Sequence, residues 1–111
     1  MIVVTSENIE GMRIVKTLGL VRGNTVRARH IGKDILAGLR NIVGGEIHEY
    51  AKLMAESREQ SIDRMVAEAE SLGANAVIAT RFTTSMIAQG AAELLAVGTA
   101  VRVESQPNEA G

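Results

Sequence analysis

The sequence has no cysteine, one proline and only two aromatic side chains among its 111 residues. The absence of cysteine excludes disulfides, thiolate nucleophiles and every zinc or iron–sulfur site that is built on sulfur. Tyr50 and Phe82 are the only aromatic residues, so the chain offers almost no platform for stacking nucleic-acid bases. A formal charge of −1 provides no global attraction to nucleic acid or to an anionic membrane.

The composition is typical of one folded domain, since 46% of the residues are apolar and 23% are charged. We expect this domain to cover residues 1–104, followed by a flexible polar tail over residues 105–111 that contains the single proline. The chain reaches Glu7 too soon for a signal-peptide core, and no apolar run approaches the roughly 18 residues that cross a membrane. The sequence therefore predicts a cytoplasmic protein.

Hydrophobic periodicity predicts the element order β-β-α-α-β-β. A short extended piece precedes a longer strand that begins near Met12, and Gly19 inside this strand indicates a bulge or a close backbone approach. Two further strands, over residues 76–87 and 91–104, are joined as a hairpin. The order predicts an α+β fold, an antiparallel sheet with two central helices.

The first helix is predicted over residues 31–43 and ends at Gly44 and Gly45, because glycine adopts the left-handed conformation that closes a helix. The second is predicted over residues 46–72 and ends at Gly73 for the same reason. At 1.5 Å per residue the second helix is about 40 Å long, which is longer than a domain of this size needs. One end should therefore project and pack against a partner.

The apolar stripe of the second helix has a polar middle. Steps of 3.6 residues from Ile47 reach Tyr50, Ala51, Met54, Ser57, Arg58, Ser61, Ile62, Met65, Ala69 and Leu72. In the last strand one face is bulky and the other consists mainly of small residues, among them Gly98. A face of small residues allows a helix, or the sheet of a neighbouring subunit, to approach closely.

Charge is distributed unevenly along the chain. No acidic residue lies between Glu10 and Asp34, where six basic residues occur, and the second helix carries seven acidic residues against three basic ones. One interpretation is a surface for an anion or for nucleic acid, formed by Arg22, Arg27, Arg29 and Lys33. The other is that the basic strand faces the acidic helix, within or between subunits. The lack of interleaved aromatic residues favours the second interpretation.

The candidate metal ligands are the two histidines and the carboxylates beside one of them: His30, Glu46, His48 and Glu49. The helix dipole alone also accounts for acidic residues in a first helical turn. Four methionines lie on apolar stripes and are expected in the core rather than on a copper ion: Met12, Met54, Met65 and Met86. No nucleophile elbow and no glycine-rich phosphate loop is present, so nothing in the sequence indicates an enzyme.

Four segments together resemble the YbjQ-like family of small bacterial and archaeal proteins, which is described as heavy-metal-binding. They are residues 14–23 (IVKTLGLVRG), 38–45 (GLRNIVGG), 72–77 (LGANAV) and 98–101 (GTAV). The resemblance extends over almost the whole chain, from Met1 to about Glu104. It implies a compact α+β subunit related to dodecin-like folds, which assembles into a ring, expected to be a pentamer.

In such a ring we expect Arg40 and the Gly44-Gly45 corner to form a tight helix–helix junction. Family members often have cysteine in place of Leu18 and acidic residues in place of residues 80–83, and these departures weaken a shared site for soft metal ions. Our main hypothesis is a non-enzymatic, ring-forming protein that binds a small ligand or a divalent metal ion at the ring axis or between subunits. The alternatives are a heavy-metal-binding protein with His and Glu ligands, and an anion or nucleic-acid binder.

Overall fold

The structure is a computed structural model that describes residues 1–28, 45–88 and 91–106. These residues form four strands and one helix: β1 (Ile2–Val3), β2 (Met12–Ala28), α1 (Gly45–Ser71), β3 (Ala76–Ala88) and β4 (Ala91–Ser105). The predicted α+β class is confirmed. The first predicted helix, over residues 31–43, lies outside the described residues together with Arg40 and Gly44. Gly45 is the first residue of α1.

The four strands form one sheet in the order β1-β3-β4-β2. β3 and β2 each run antiparallel to β4, whereas β1 runs parallel to β3. The sheet is therefore mixed, and the prediction of a purely antiparallel sheet is wrong at β1. The reason is that β1 pairs with a strand far along the chain, across the long segment that contains β2 and α1, so no hairpin constrains its direction.

Helix α1 ends as predicted at Gly73, whose φ of +86° lies in the left-handed region. The N–H of Gly73 donates to the carbonyl of Glu70, and the N–H of Ala74 donates to the carbonyl of Ala69. This pair of bonds satisfies carbonyls that the last helical turn would otherwise leave unpaired. The chain then enters β3 at Ala76.

The core lies on both faces of the sheet. Between α1 and the sheet, a cluster of buried residues consists of Val21, Met65, Ala69, Ala74, Val77, Ala96 and Ala100. On the opposite face, Ala76, Ile78, Val101 and Val103 are covered by Ile2, Val4, Ile9 and Met12. The small-residue face of β4 therefore lies under α1, which confirms the prediction of a close approach on that face.

Two glycines allow this close packing. A Cβ atom added to Gly23 of β2 would lie 2.5 Å from the backbone nitrogen of Met65 and closer still to the carbonyl oxygen of Ser61, both in α1. A Cβ atom added to Gly98 of β4 would lie 2.5 Å from the side chain of Val77. Gly98 therefore makes room for a neighbouring strand of its own subunit.

Register shifts interrupt β2 at two places and β3 at two places, and in each strand one of them lies at a residue with positive φ. In β2 the register shifts between Thr17 and Gly19, and Gly19 has a φ of +125°, so the bulge predicted there is confirmed. In β3 the register shifts between Ile78 and Arg81, around Ala79 with its φ of +52°. Within the described residues, no helix has the length and the apolar character that crossing a membrane requires.

Candidate functional site

The most distinctive surface of the described chain is the far half of its sheet, which we call the sheet arm. It consists of residues 81–88 of β3, residues 91–97 of β4 and residues 22–28 of β2. Every residue from 81 to 88 is exposed. The exposed positions include four large apolar side chains: Val26 (51% exposed), Phe82 (42%), Met86 (71%) and Ile87 (54%). Large apolar side chains that are exposed close together on one face are typical of an interaction surface.

The strand register shows which of these side chains share a face. Gly23 pairs with Ala96, and Ala96 pairs with Phe82, so Phe82 lies on the same face of the sheet as Gly23, the face on which α1 packs. Met86 lies on that face as well, since successive residues alternate and residues 81–86 keep one register. Phe82 and Met86 are therefore the large apolar side chains of this open face, whereas Val26, three steps from Gly23, lies on the opposite face.

Helix α1 packs on Val77 at the start of β3 but leaves residues 81–88 uncovered, because there it lies over β2 and β4. Arg64 donates to the carbonyl of Asn24, and Gln60 accepts from Arg27, so these two helix positions point towards β2. Helical geometry then places Ile62 and Val66, both half-buried, on the opposite flank, towards β3. A groove results, with Ile62 and Val66 on one wall and the apolar side chains of β3 along its floor.

The polar middle of the α1 stripe is buried against β2 and β4. The hydroxyls of Ser61 and Thr25 are 3.2 Å apart, and the Ser61 hydroxyl donates to the carbonyl of Leu94 over 3.1 Å. Arg27 Nε donates to the Ser57 hydroxyl over 3.0 Å. Ser57, Ser61 and Thr25 are all at most 2% exposed. These bonds set the position of α1 on the sheet, a role that the sequence analysis did not assign to them.

One end of α1 extends beyond these contacts. None of residues 51–56 is buried, whereas Ser57 is. From Gly45 to Ser57 the helix rises about 18 Å at 1.5 Å per residue. The amino-terminal end of α1 is thus the end that projects past its contacts with β2 in the described chain, at the same end of the subunit as the sheet arm.

The metal-ligand candidates are only partly within the described residues. Glu46, His48 and Glu49 lie in the first turns of α1, and the helical backbone places the two glutamates one turn apart. His30 lies outside the described residues. The side chains of Glu46, His48 and Glu49 also lie outside the described part, and among the side chains of residues 1–27, 51–88 and 91–106 no three metal ligands converge on a common point.

The methionines differ from one another in environment. Met65 is fully buried, and Met12 and Met54 are half-buried, in agreement with the expected role in the core. Met86 is 71% exposed, so the prediction of a core position is wrong for this residue. The cause is local: Met86 lies on the part of β3 that α1 does not cover.

The basic residues of β2 do not form a single surface. Arg22 and Arg27 lie on opposite faces of the sheet because an odd number of steps separates them, while Arg29 and Lys33 lie outside the described residues. Arg27 is bound to Ser57 and Gln60. In the part of the chain that the structure describes, the only ion pair joins Arg13 and Glu104 over 3.3 Å. No basic residue of β2 therefore forms an ion pair there with an acidic residue of α1.

Comparisons with known proteins agree with the resemblance noted in the sequence. A family model described as "Putative heavy-metal-binding", that of the YbjQ family, matches residues 1–104. A UPF0145 protein of Dehalococcoides mccartyi strain 195 is 59% identical over 94% of this chain and 100% of its own. A UPF0145 protein of Methanosarcina acetivorans is 55% identical over 93% of this chain and 97% of its own.

The fold has also been seen in a crystal structure. A DUF74-family protein of unknown function from Pediococcus pentosaceus superposes with a TM-score of 0.63, at 13% identity, over 94% of this chain and 98% of its own. At this identity the similarity supports the fold and nothing finer.

Proposed function

This chain belongs to the YbjQ (UPF0145) family, and from that premise we propose that it works as a non-enzymatic subunit of a ring-shaped homo-oligomer, with a pentamer as the expected form. The observation that carries the proposal is the exposed apolar surface of the sheet arm. Phe82 and Met86 occupy a face of the sheet that is covered by α1 over β2 and β4 and left open over β3. A second copy of the chain supplies the missing cover.

The apolar free energy available on the helix-side face comes from Phe82 and Met86. Fully burying a large apolar side chain stabilises by about 1.5–3 kcal/mol, so completing the burial of these two contributes roughly 2–3 kcal/mol. The loss of translational and rotational freedom on association costs roughly 4–15 kcal/mol. These apolar contacts alone therefore do not offset the cost of association, and a stable ring needs further contacts at the same interface.

Sedimentation of the purified protein tests the proposal directly. We expect a species of several times 11.8 kDa at micromolar concentration. The double variant Phe82→Ser/Met86→Ser should shift the protein towards the monomer. Leu72→Ser is the matched control, because Leu72 is 45% exposed but lies beyond the carboxyl end of α1, away from the sheet arm. A monomeric wild-type protein, or equal effects of the arm and control variants, would contradict the proposal.

A second candidate function is metal binding, favoured by the family description and by the histidine between two glutamates at the start of α1. In a ring, copies of the projecting α1 ends would bring several sets of Glu46, His48 and Glu49 together, with His30 as a further candidate. The chain has no cysteine, so these ligands suit a divalent ion such as zinc or nickel better than a soft ion.

Calorimetric titration with zinc, nickel and copper(II) separates this function from assembly alone. Saturable binding that is lost in His30→Ala/His48→Ala, with unchanged sedimentation, is the expected result for a metal-binding ring. The absence of saturable binding by the unmutated protein would rule metal binding out while leaving the oligomer proposal intact.

A further inference from the structure

We propose that residues 81–86 of β3 in one subunit pair, as a parallel strand, with the outer edge of β2 in a second copy of the chain. The inference rests on the proposed oligomer and names the surfaces that join its subunits. The interface would then combine backbone hydrogen bonds with the apolar contacts described above.

The first argument is that the outer edge of β3 is open over residues 81–86, which lie between two register shifts and keep one regular register themselves. β1 pairs only with Ala76 and Val77, and the backbone bonds from the segment after β1 reach no further than Thr80. Beyond that residue, no strand of the described chain covers the outer edge of β3. Residues 81–88 contain no proline and a single charged residue, Arg81, whereas natural edge strands are normally protected by such residues.

The second argument is that β2 offers an edge of matching length at the same level. The two bulges of β2 lie before Leu20, and from there to Ala28 its register with β4 is continuous. Bulges discourage edge pairing, so only this later part of β2 is a regular open edge. Gly23 and Phe82 pair with the same residue of β4, Ala96. The two open edges therefore lie at the same level along the strand direction.

The third argument is strand direction. β3 and β2 are each antiparallel to β4, so they run parallel to each other on opposite sides of it. Rotation about an axis along the strands therefore places β2 of one copy beside β3 of the next in parallel orientation. This contact is head-to-tail, and it uses both open edges of every subunit when the ring closes. Pairing of two β3 edges about a two-fold axis would leave every β2 edge open.

The fourth argument is that the same arrangement covers the apolar groove. In each subunit α1 lies over β2, so a copy that pairs its β2 with the neighbouring β3 brings its own α1 next to the neighbour's Phe82 and Met86. The α1 flank that points towards β2 contains Leu53, Gln60 and Arg64. The groove of one subunit is thereby filled by the helix flank of another.

Disulfide trapping tests the inference, and the absence of native cysteine makes it specific. We would prepare Asn24→Cys/Thr83→Cys and Asn24→Cys/Ser85→Cys, which place cysteines on the exposed edges of β2 and β3, on the face opposite α1. Within one subunit β4 separates the two positions by roughly 10 Å, too far for a disulfide. Any disulfide must then join two copies.

After mild oxidation, at least one double variant should give a ladder of covalent species at multiples of 11.8 kDa, which reducing agent abolishes. The single variants Asn24→Cys, Thr83→Cys and Ser85→Cys should form no disulfide between subunits. The control Glu7→Cys/Glu70→Cys, with exposed positions outside the sheet arm, should also stay uncoupled.

Each other outcome overturns a distinct statement. Covalent dimers from Thr83→Cys or Ser85→Cys alone would mean that two β3 edges pair, which contradicts the head-to-tail arrangement. Failure of both double variants to cross-link in a protein that sediments as an oligomer would overturn the edge pairing but not the proposed function. A wild-type monomer in sedimentation would overturn both.

Discussion

The close contact between β2 and α1 makes Gly23→Ala the most informative single substitution for the fold. The added methyl group would lie 2.5 Å from the Met65 nitrogen and 2.8 Å from the Arg64 Cβ, and closer still to the Ser61 carbonyl oxygen. These atoms belong to the helix backbone or its first side-chain carbon, so no change of rotamer removes the overlap. Helix α1 has to move away from the sheet by roughly 1 Å.

That displacement has two costs. Overpacking of this kind costs about 1–3 kcal/mol. Moving α1 also lengthens the buried hydrogen bonds from Ser61 to Thr25 and Leu94, which costs about 1–2 kcal/mol more. The intrinsic benefit of replacing glycine in a strand, about 0.5–1 kcal/mol, offsets only part of this. We therefore predict that Gly23→Ala lowers the free energy of unfolding by about 3 kcal/mol.

Urea denaturation at a fixed protein concentration measures this change, since self-association makes the midpoint concentration-dependent. The matched control is Arg22→Ala, in the same strand but on the exposed side, which should change the free energy of unfolding by less than about 0.5 kcal/mol. A Gly23→Ala variant as stable as Arg22→Ala would show that α1 does not pack on β2 at this distance.

Three further substitutions probe individual polar groups. The buried Thr80 hydroxyl has no hydrogen-bond partner among the described residues, so Thr80→Val should raise stability by about 1 kcal/mol, visible as a higher melting temperature; a lower one would refute this. Ser61→Ala should cost about 1–2 kcal/mol, and a double-mutant cycle with Thr25→Val should show coupling, whereas strict additivity would argue against the hydroxyl contact. Glu104→Gln breaks only an exposed ion pair, so a loss above about 1 kcal/mol by urea denaturation would be unexpected.

Local signals were sufficient for most of the secondary structure. The period of the long helix and the glycine after it predicted α1 to within one residue at each end. Gly19 predicted a bulge in β2, and the small residues of β4 predicted the face on which α1 packs. In each case the cause lies within a few residues of the signal, because helix caps and bulges depend on the backbone conformation of one glycine.

Features that depend on distant parts of the chain were not predictable in the same way. The parallel pairing of β1 with β3 joins residues that are 74 positions apart, Ile2 to Ala76 and Val3 to Val77, and no local pattern specifies its direction. The exposure of Met86 follows from where α1 lies relative to β3, which the alternation of β3 does not reveal. The buried serines of α1 interrupted an apolar stripe in the sequence, and their partner Thr25 became evident only from the fold.

The two candidate sites also differ in whether a local sequence signal or the fold reveals them. His48 and its neighbouring glutamates were found by residue type alone, and their side chains lie outside the described part of the chain. The sheet arm, in contrast, is defined by the position of α1, which lies over β2 and β4 and leaves residues 81–88 of β3 uncovered. The partner was inferred in the sequence from the length of α1, and in the structure the exposed surface of β3 supports the same proposal.

The central claim is that the subunit is completed by copies of itself. Sedimentation equilibrium of the full chain at several micromolar concentrations measures this without any substitution. The account predicts one dominant species whose mass is a whole multiple of 11.8 kDa, with five as the expected multiple. A species of 11.8 kDa across the whole concentration range would contradict it.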